Sequence, residues 1–117
     1  MSEFLTLQQI VDADDMDFEV IEVPEWGGKV KLGSMTAGDR DAYEVAIYRS
    51  REKGGEEAAL ENVRSRLVAA ALIEPKVSKG QVVKLAKKNA RIVNQLFDAA
   101  RRLNGISAED AAELEGN

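Results

Sequence analysis

The stretch Val-Pro-Glu-Trp-Gly-Gly, residues 23–28, decides the fold because it predicts a turn between two strands. The six residues that end at the valine are rich in β-branched and aromatic side chains, and the four residues after the stretch alternate with period two. The proline fixes its own φ and the two glycines tolerate positive φ, so all three favour a turn. We therefore predict a β-hairpin over about residues 18–33, with a connection of about five residues that carries Trp26.

A long helix is predicted to follow the hairpin. Thr36 and Asp39 have the spacing of a capping box with aspartate in place of glutamate, which marks a helix N-terminus. The helix can run to Lys53 with Tyr43 and Ile47 on one face, and we expect the glycine pair that follows Lys53 to end it.

A second long helix is predicted over about residues 56–73. Two glutamates suit its first turn, because the helix dipole favours negative charge there, and the Glu74-Pro75 dipeptide stops it. Its apolar side chains recur at helical spacing and are expected to face the core: Leu60, Val63, Leu67, Ala70 and Ala71.

Two short helices are predicted on either side of these elements. One covers residues 6–11 at the N-terminus and is capped near Ser2 or Thr6. The other covers about residues 79–87, with Ser78 as its cap.

The C-terminal part predicts one more long helix, over about residues 88–104. Gly105 follows it and can adopt the left-handed conformation that ends helices. A last short helix is expected over about residues 107–115. The apolar stripe of the long helix consists of Val93, Leu96, Phe97, Ala100 and Leu103.

Together these elements predict a mainly α (α+β) fold, a small helical bundle with one N-terminal β-hairpin. The chain has 117 residues, which is the length of a single domain and enough to bury a core without disulfides. Within this domain, residues 1–17 form a short helix and an acidic connection, residues 18–33 form the hairpin, and residues 36–115 form the helical bundle.

The residue types argue against enzymatic chemistry. The chain has no cysteine and no histidine, which removes disulfides, thiolate nucleophiles and the commonest general base and metal ligand. The acidic run at residues 12–17 does not match an EF-hand loop, because a valine stands where the bidentate glutamate belongs. The glycine pairs lack the Lys-Ser/Thr of a phosphate-binding loop. We therefore expect no catalytic residue, no cofactor, no metal and no enzymatic activity.

The charges of this acidic chain are unevenly distributed. Residues 1–25 contain eight acidic residues and no Lys or Arg, whereas residues 76–102 contain eight basic residues and one aspartate. The two segments can meet within one chain, meet between neighbouring copies, or stay solvated apart. A head-to-tail contact between copies would produce a homo-oligomer that dissociates at high salt.

Two features are candidate protein-binding surfaces. Trp26 either packs inward against the bundle, which we favour, or stands exposed as an interface anchor. A basic region is the second candidate, with four cations within two helical turns as one stripe and two further arginines. These six residues are Lys84, Lys87, Lys88, Arg91, Arg101 and Arg102.

The succession of elements resembles the small tail assembly chaperones of long-tailed, siphovirus-like bacteriophages and related prophages. The resemblance rests on the strand and turn at residues 23–28, TAGDRD at residues 36–41, RLVA at residues 66–69, LFDAARRLNG at residues 96–105 and the acidic segment at residues 109–115. Each segment by itself is a hairpin, a cap or an amphipathic helix, and their order carries the resemblance. It covers about residues 18–115.

The resemblance implies a non-enzymatic role and a set of partners. Such chaperones bind the long, helical tape measure protein before tail tube subunits polymerise around it, and they are absent from the finished virion. The implied partners are therefore the tape measure protein and a second copy of the chain, with the tail tube protein as a further candidate. The implied location is the host cytoplasm, and no apolar run approaches the roughly 20 residues that span a bilayer.

Two other functions stay open on the sequence alone. One is a head–tail joining or tail completion protein that remains in the particle. The other is a nucleic-acid-associated regulator that uses the basic region. We expect no nucleic acid partner, because the chain is acidic overall, lacks aromatic residues interleaved with the cations and carries no recognised binding motif.

Overall fold

The computed structural model describes residues 3–106, and these form a mainly α fold with an N-terminal β-hairpin, as predicted. The last predicted helix, residues 107–115, and the alternative cap at Ser2 lie outside the described residues. The elements are α1 (Leu7–Asp12), β1 (Phe18–Val23), β2 (Gly28–Gly33), α2 (Ala37–Leu60), α3 (Val63–Ala71), β3 (Leu72–Glu74), α4 (Val82–Ala86) and α5 (Ala90–Leu103), with 3-10 turns at Pro24–Trp26 and Lys79–Gln81.

The hairpin forms where the sequence predicts it. β1 and β2 pair antiparallel from Phe18 opposite Gly33 to Val23 opposite Gly28. The connection is shorter than predicted, because Gly28 already belongs to the strand and only Gly27, at φ 81°, takes the left-handed conformation. The side chains of Val23 in β1 and Leu32 in β2 belong to the core. The helices therefore cover this face of the sheet.

A third strand was not predicted. The helix expected to reach residue 73 ends at Ala71, and β3 pairs antiparallel with β2 through Leu32 opposite Leu72 and Lys31 opposite Glu74. The prediction was wrong here because backbone groups at the edge of β2 offer hydrogen-bond partners that local helical spacing does not reveal. Leu72 is buried against the sheet as a result.

Two residues with positive φ interrupt the helical region. Gly55, at φ 72° and ψ −161°, breaks α2 as the glycine pair predicts. A second break at Asn62, at φ 55°, was not predicted and divides the expected helix over residues 56–73. Asparagine adopts this conformation more readily than most residues, because its short side chain bonds locally. Leu60 and Ala70 are consequently exposed instead of facing the core.

The hydrophobic core is centred on α3. Leu67 and Val68 of α3 are fully buried, as are Leu32 of β2, Ile47 of α2 and Leu96 of α5. α5 packs along α3, and its predicted stripe is confirmed: four members are buried and Leu103 is half-buried against them. The core therefore joins the sheet and both long helices in one cluster.

α1 is the exception to this packing. Thr6 and Gln9 form the capping box that starts it, since the Thr6 hydroxyl accepts from the Gln9 N–H at 3.2 Å and the Gln9 side chain accepts from the Thr6 N–H at 2.9 Å. The predicted N-terminal helix and its cap at Thr6 are thus confirmed. None of its residues is buried, so local capping and not core packing defines this helix.

Asn104 fastens the end of α5 to the exit of the hairpin. Its Oδ1 accepts from the Met35 N–H at 2.6 Å, and its Nδ2 donates to the carbonyl oxygens of Gly33 at 3.3 Å and Ala100 at 2.9 Å. Its backbone carbonyl accepts from the Arg40 guanidinium at 3.2 Å. The half-buried Asn104 side chain thus joins the end of β2 and the residues after it to the end of α5, and the Asn104 backbone adds a contact to the first turn of α2.

We predict that Asn104→Ala lowers the free energy of unfolding by about 1–3 kcal/mol, because partly buried backbone groups lose their partner. Chemical denaturation followed by circular dichroism measures this. Asn94→Ala is the matched control: the Asn94 side chain accepts from the Arg64 guanidinium at the surface, so its loss should cost about 0.5 kcal/mol or less. Equal losses in the two variants would contradict the role given to Asn104.

Candidate protein-binding site

An open groove lies between α2, α3 and residues 76–83, with a volume of about 580 Å³. α2 lines it with residues at helical spacing, among them Ala42, Ala46 and Ser50, and α3 lines it with Arg66 and Ala70. Because alanines form much of both walls, the backbone of a bound segment can come close to both helices. The groove has the largely apolar lining that helix-in-groove recognition uses.

Three valines form the third wall of the groove. Val77, Val82 and Val83 lie around the turn that Ser78 and Gln81 start, where the Ser78 N–H donates to Gln81 Oε1 at 3.1 Å. This confirms Ser78 as the cap of the predicted helix over residues 79–87, which the structure resolves into a 3-10 turn and α4. Val77 packs against the core while Val83 is 55% exposed, so the wall is apolar on its open side as well.

The rim of the groove carries charge of both signs. Arg66 donates from Nη1 to the Ser50 hydroxyl at 3.3 Å, which links the α3 wall to the α2 wall. The other charged groups on the rim are two lysines and two carboxylates: Lys76, Lys79, Asp39 and Glu61. Neither lysine forms an ion pair with any residue of the described range 3–106. Both lysines remain available to an acidic segment.

Trp26 lies at the tip of the hairpin, as predicted, and is half-buried. It packs against the core, in line with the inward orientation that we favoured, and its remaining surface is close to Lys88, whose Nζ lies 5.9 Å from the ring centroid. A contact of this kind contributes about 0.5–1 kcal/mol at an exposed site. The indole thus joins the hairpin tip to the core and to the connection that precedes α5.

The predicted basic stripe is not continuous. Lys84 lies in α4, which ends at Ala86, and Arg91 lies in α5, which Asn89 caps by accepting the Arg91 N–H at 2.9 Å. Lys87 and Lys88 belong to the connection between the two helices and are exposed. The expectation of one stripe was wrong because the helices predicted over residues 79–87 and 88–104 are separate elements, with non-helical backbone at Asn89 between them.

Two of the arginines hold the hairpin to α5. Arg91 Nη2 lies 3.2 Å from Glu25 Oε2, and Arg102 Nη2 lies 2.7 Å from Glu19 Oε2. Parts of the acidic and basic segments therefore meet within one chain. Such exposed pairs contribute at most about 1 kcal/mol each.

Arg101 is half-buried and has a local role. Its guanidinium donates to the Ile106 carbonyl oxygen at 3.4 Å and lies 3.7 Å from Asp98. These contacts support the turn at Gly105, whose φ of 64° confirms the predicted helix stop. With Arg91 and Arg102 already paired, the predicted arginines serve the fold, and the exposed lysines are the cations open to partners.

The sequence interpretation missed the groove. The sequence interpretation assigns Ala70 to the core and gives the other lining alanines no role, although Ala42 and Ala46 are four residues apart on one face of α2. Small residues recurring on two neighbouring helices are the signal that could have revealed it. The sequence predicts one continuous helix over residues 56–73 and therefore does not predict the turn at Asn62. This turn brings α3 alongside α2 and so forms the groove.

Comparisons with known proteins add no relative: no protein-family model, no curated protein and no solved structure matches the chain. Within residues 3–106, no helix is long and apolar enough to cross a membrane. In the same range, no cluster of three or more acidic side chains is arranged to hold a metal ion. The candidate site is therefore argued from its own geometry.

The Glu25–Arg91 pair is expected to make the stability of the fold depend on pH. The backbone N–H of Glu25, and after it the Arg91 guanidinium, hold the pKa of the Glu25 carboxyl below its ordinary value of 4.5. A lowered pKa in the folded state means that the pair stabilises the fold above the unfolded-state pKa and loses this effect as pH falls through the folded-state pKa.

We expect Arg91→Ala to raise the pKa of Glu25 toward 4.5 without reaching it, because the backbone contribution remains. Carboxyl chemical shifts in an NMR titration measure this. The difference in unfolding free energy between wild type and variant should be constant at neutral pH and vanish on acidification. Lys87→Ala removes an exposed cation that makes no contact with Glu25 and should leave the pKa unchanged. An unchanged pKa in Arg91→Ala would disprove the pair.

Proposed function

We propose that this protein is a phage tail assembly chaperone that binds apolar helical stretches of the tape measure protein. The observation that supports it most is the open apolar groove between α2, α3 and residues 76–83. The order of hairpin, capped helices and acidic C-terminal segment, which resembles that chaperone family, supports the same proposal.

The physical need for such a protein follows from its client. A tape measure protein carries apolar helical stripes that aggregate when they are exposed to water before the tail tube encloses them. A groove lined by alanines and valines can cover one such stripe by helix-in-groove packing. Each apolar side chain that the groove buries gains about 1.5–3 kcal/mol, and the costs of association offset much of this gain.

Modest, reversible affinity suits this role. The chaperone must leave the client when tube subunits polymerise, so a small groove that covers a few side chains at a time serves better than a large permanent interface. Several copies would bind along one long client. The proposal places these copies in the host cytoplasm and outside the finished virion, and the role requires no catalysis.

Co-expression with the tape measure protein tests the proposal. Wild type should keep the client soluble and co-purify with it. The double variant Ala42→Glu/Ala70→Glu, hereafter the groove variant, places a carboxylate on each long wall at exposed positions that the fold tolerates. Burying these charges against an apolar helix is unfavourable, so the recovered soluble client should fall about tenfold or more.

The control for the groove variant is Gln95→Glu, which adds charge at an exposed position of α5 away from the groove. It should preserve client solubility at the wild-type level. Equal client recovery with the groove variant would refute binding in the groove. Detection of this protein by mass spectrometry in purified virions would instead favour a head–tail joining or tail completion component.

A further inference from the structure

α1 presents an apolar face that no residue of the described range 3–106 covers. Leu7, Ile10 and Val11 lie at positions i, i+3 and i+4 of the helix, and the exposed Phe4 precedes the helix in backbone outside any helix or strand. Leu7 is 76% exposed and Val11 is 67% exposed. No α1 residue lines the groove of its own copy or is buried elsewhere. Anchors at this spacing are what a hydrophobic groove recognises.

The charges that follow α1 complement the rim of the groove. Asp12, Asp14, Asp15 and Asp17 stand at the end of α1 and in the connection to β1, and none of them forms an ion pair within residues 3–106. Lys76 and Lys79 on the rim have no ionic partner there either. The surface therefore carries two complementary features at separate places: an apolar helix followed by aspartates, and an apolar groove edged by lysines.

We propose that α1 of one copy docks in the groove of a second copy. Leu7, Ile10 and Val11 would lie against the alanines of α2 and α3, and the aspartates beyond α1 would lie near Lys76 and Lys79. A free energy gain from covering apolar surface drives this contact, and the charges set its direction. The contact is small, so association is reversible and increases with protein concentration.

The proposed contact joins two different surfaces, because the helix is the donor and the groove is the acceptor. It can propagate from copy to copy, close into a ring, or be exchanged reciprocally in a dimer. It also means that α1 and a client helix compete for the same groove. The inference uses this groove but needs no client, so self-association and client binding can fail independently.

Sedimentation velocity of the purified protein tests the inference. Between about 10 μM and about 1 mM, where small interfaces dissociate, the weight-average mass of wild type should rise above the 12.8 kDa of one chain. The helix variant Leu7→Glu/Ile10→Glu changes only exposed side chains, so its circular dichroism and thermal unfolding should match wild type. The helix variant and the groove variant should each associate about tenfold more weakly or not at all.

A mixture of the two variants identifies the contact directly. The groove variant has an intact α1 and the helix variant has an intact groove, so an equimolar mixture should form heterodimers and nothing larger. Gln95→Glu, at an exposed position of α5, is the charge control and should associate like wild type. A monomeric wild type, unimpaired association of either variant, or a mixture that stays monomeric would each overturn the inference.

Discussion

The burial of α3 on almost every side is the constraint on which the rest of the structure depends. Its nine residues contact β2, α2, α4 and α5, and Leu67 and Val68 have no exposed surface. Ser65 is the one polar residue buried within residues 3–106, and it also lies in α3. Six of the nine α3 residues are buried, so the sheet and the other helices take their positions around it.

The groove is the part of α3 that this enclosure leaves open. Arg66 and Ala70 lie on its uncovered side, and the Arg66 guanidinium reaches across to Ser50 on α2. That hydrogen bond links the walls at one point, while the alanines elsewhere leave space between them. A small chain that surrounds a central helix with short elements has few residues left to cover the remaining side of that helix. Within residues 3–106, this side of α3 stays open along the groove.

Local signals predicted the parts of the fold that local interactions determine. The hairpin follows from the proline and glycines of residues 23–28, and the caps at Thr6, Thr36 and Ser78 follow from side chains that bond to nearby backbone groups. The stripe of α5 was also predicted, because a 14-residue helix with one apolar face has strong periodicity.

The remaining features depend on contacts between distant residues. Leu72 joins β2 because the edge of that strand lies beside it, and nothing in residues 70–75 shows where the edge is. The chain turns at Asn62 because this residue adopts the left-handed conformation. The neighbouring residues are compatible with that conformation but do not predict it. The groove combines both effects, since it needs α3 to lie beside α2 and residues 76–83 to follow β3. This explains why the candidate site was missed although most helices were found.

The distribution of charge separates residues that hold the fold from residues that remain open to partners. Glu19 and Glu25 on the hairpin are paired with Arg102 and Arg91 on α5, so these two glutamates fasten the sheet to the bundle. The aspartates of residues 12–17 form no ion pair within residues 3–106, and they stand at the end of α1 and after it, a helix with no buried residue. If the acidic residues served solubility alone, there would be no reason for the paired glutamates and the unpaired aspartates to lie in separate parts of the segment. The unpaired aspartates stand beside the exposed apolar helix, as lysines stand beside the groove, and this arrangement is what a contact between copies requires.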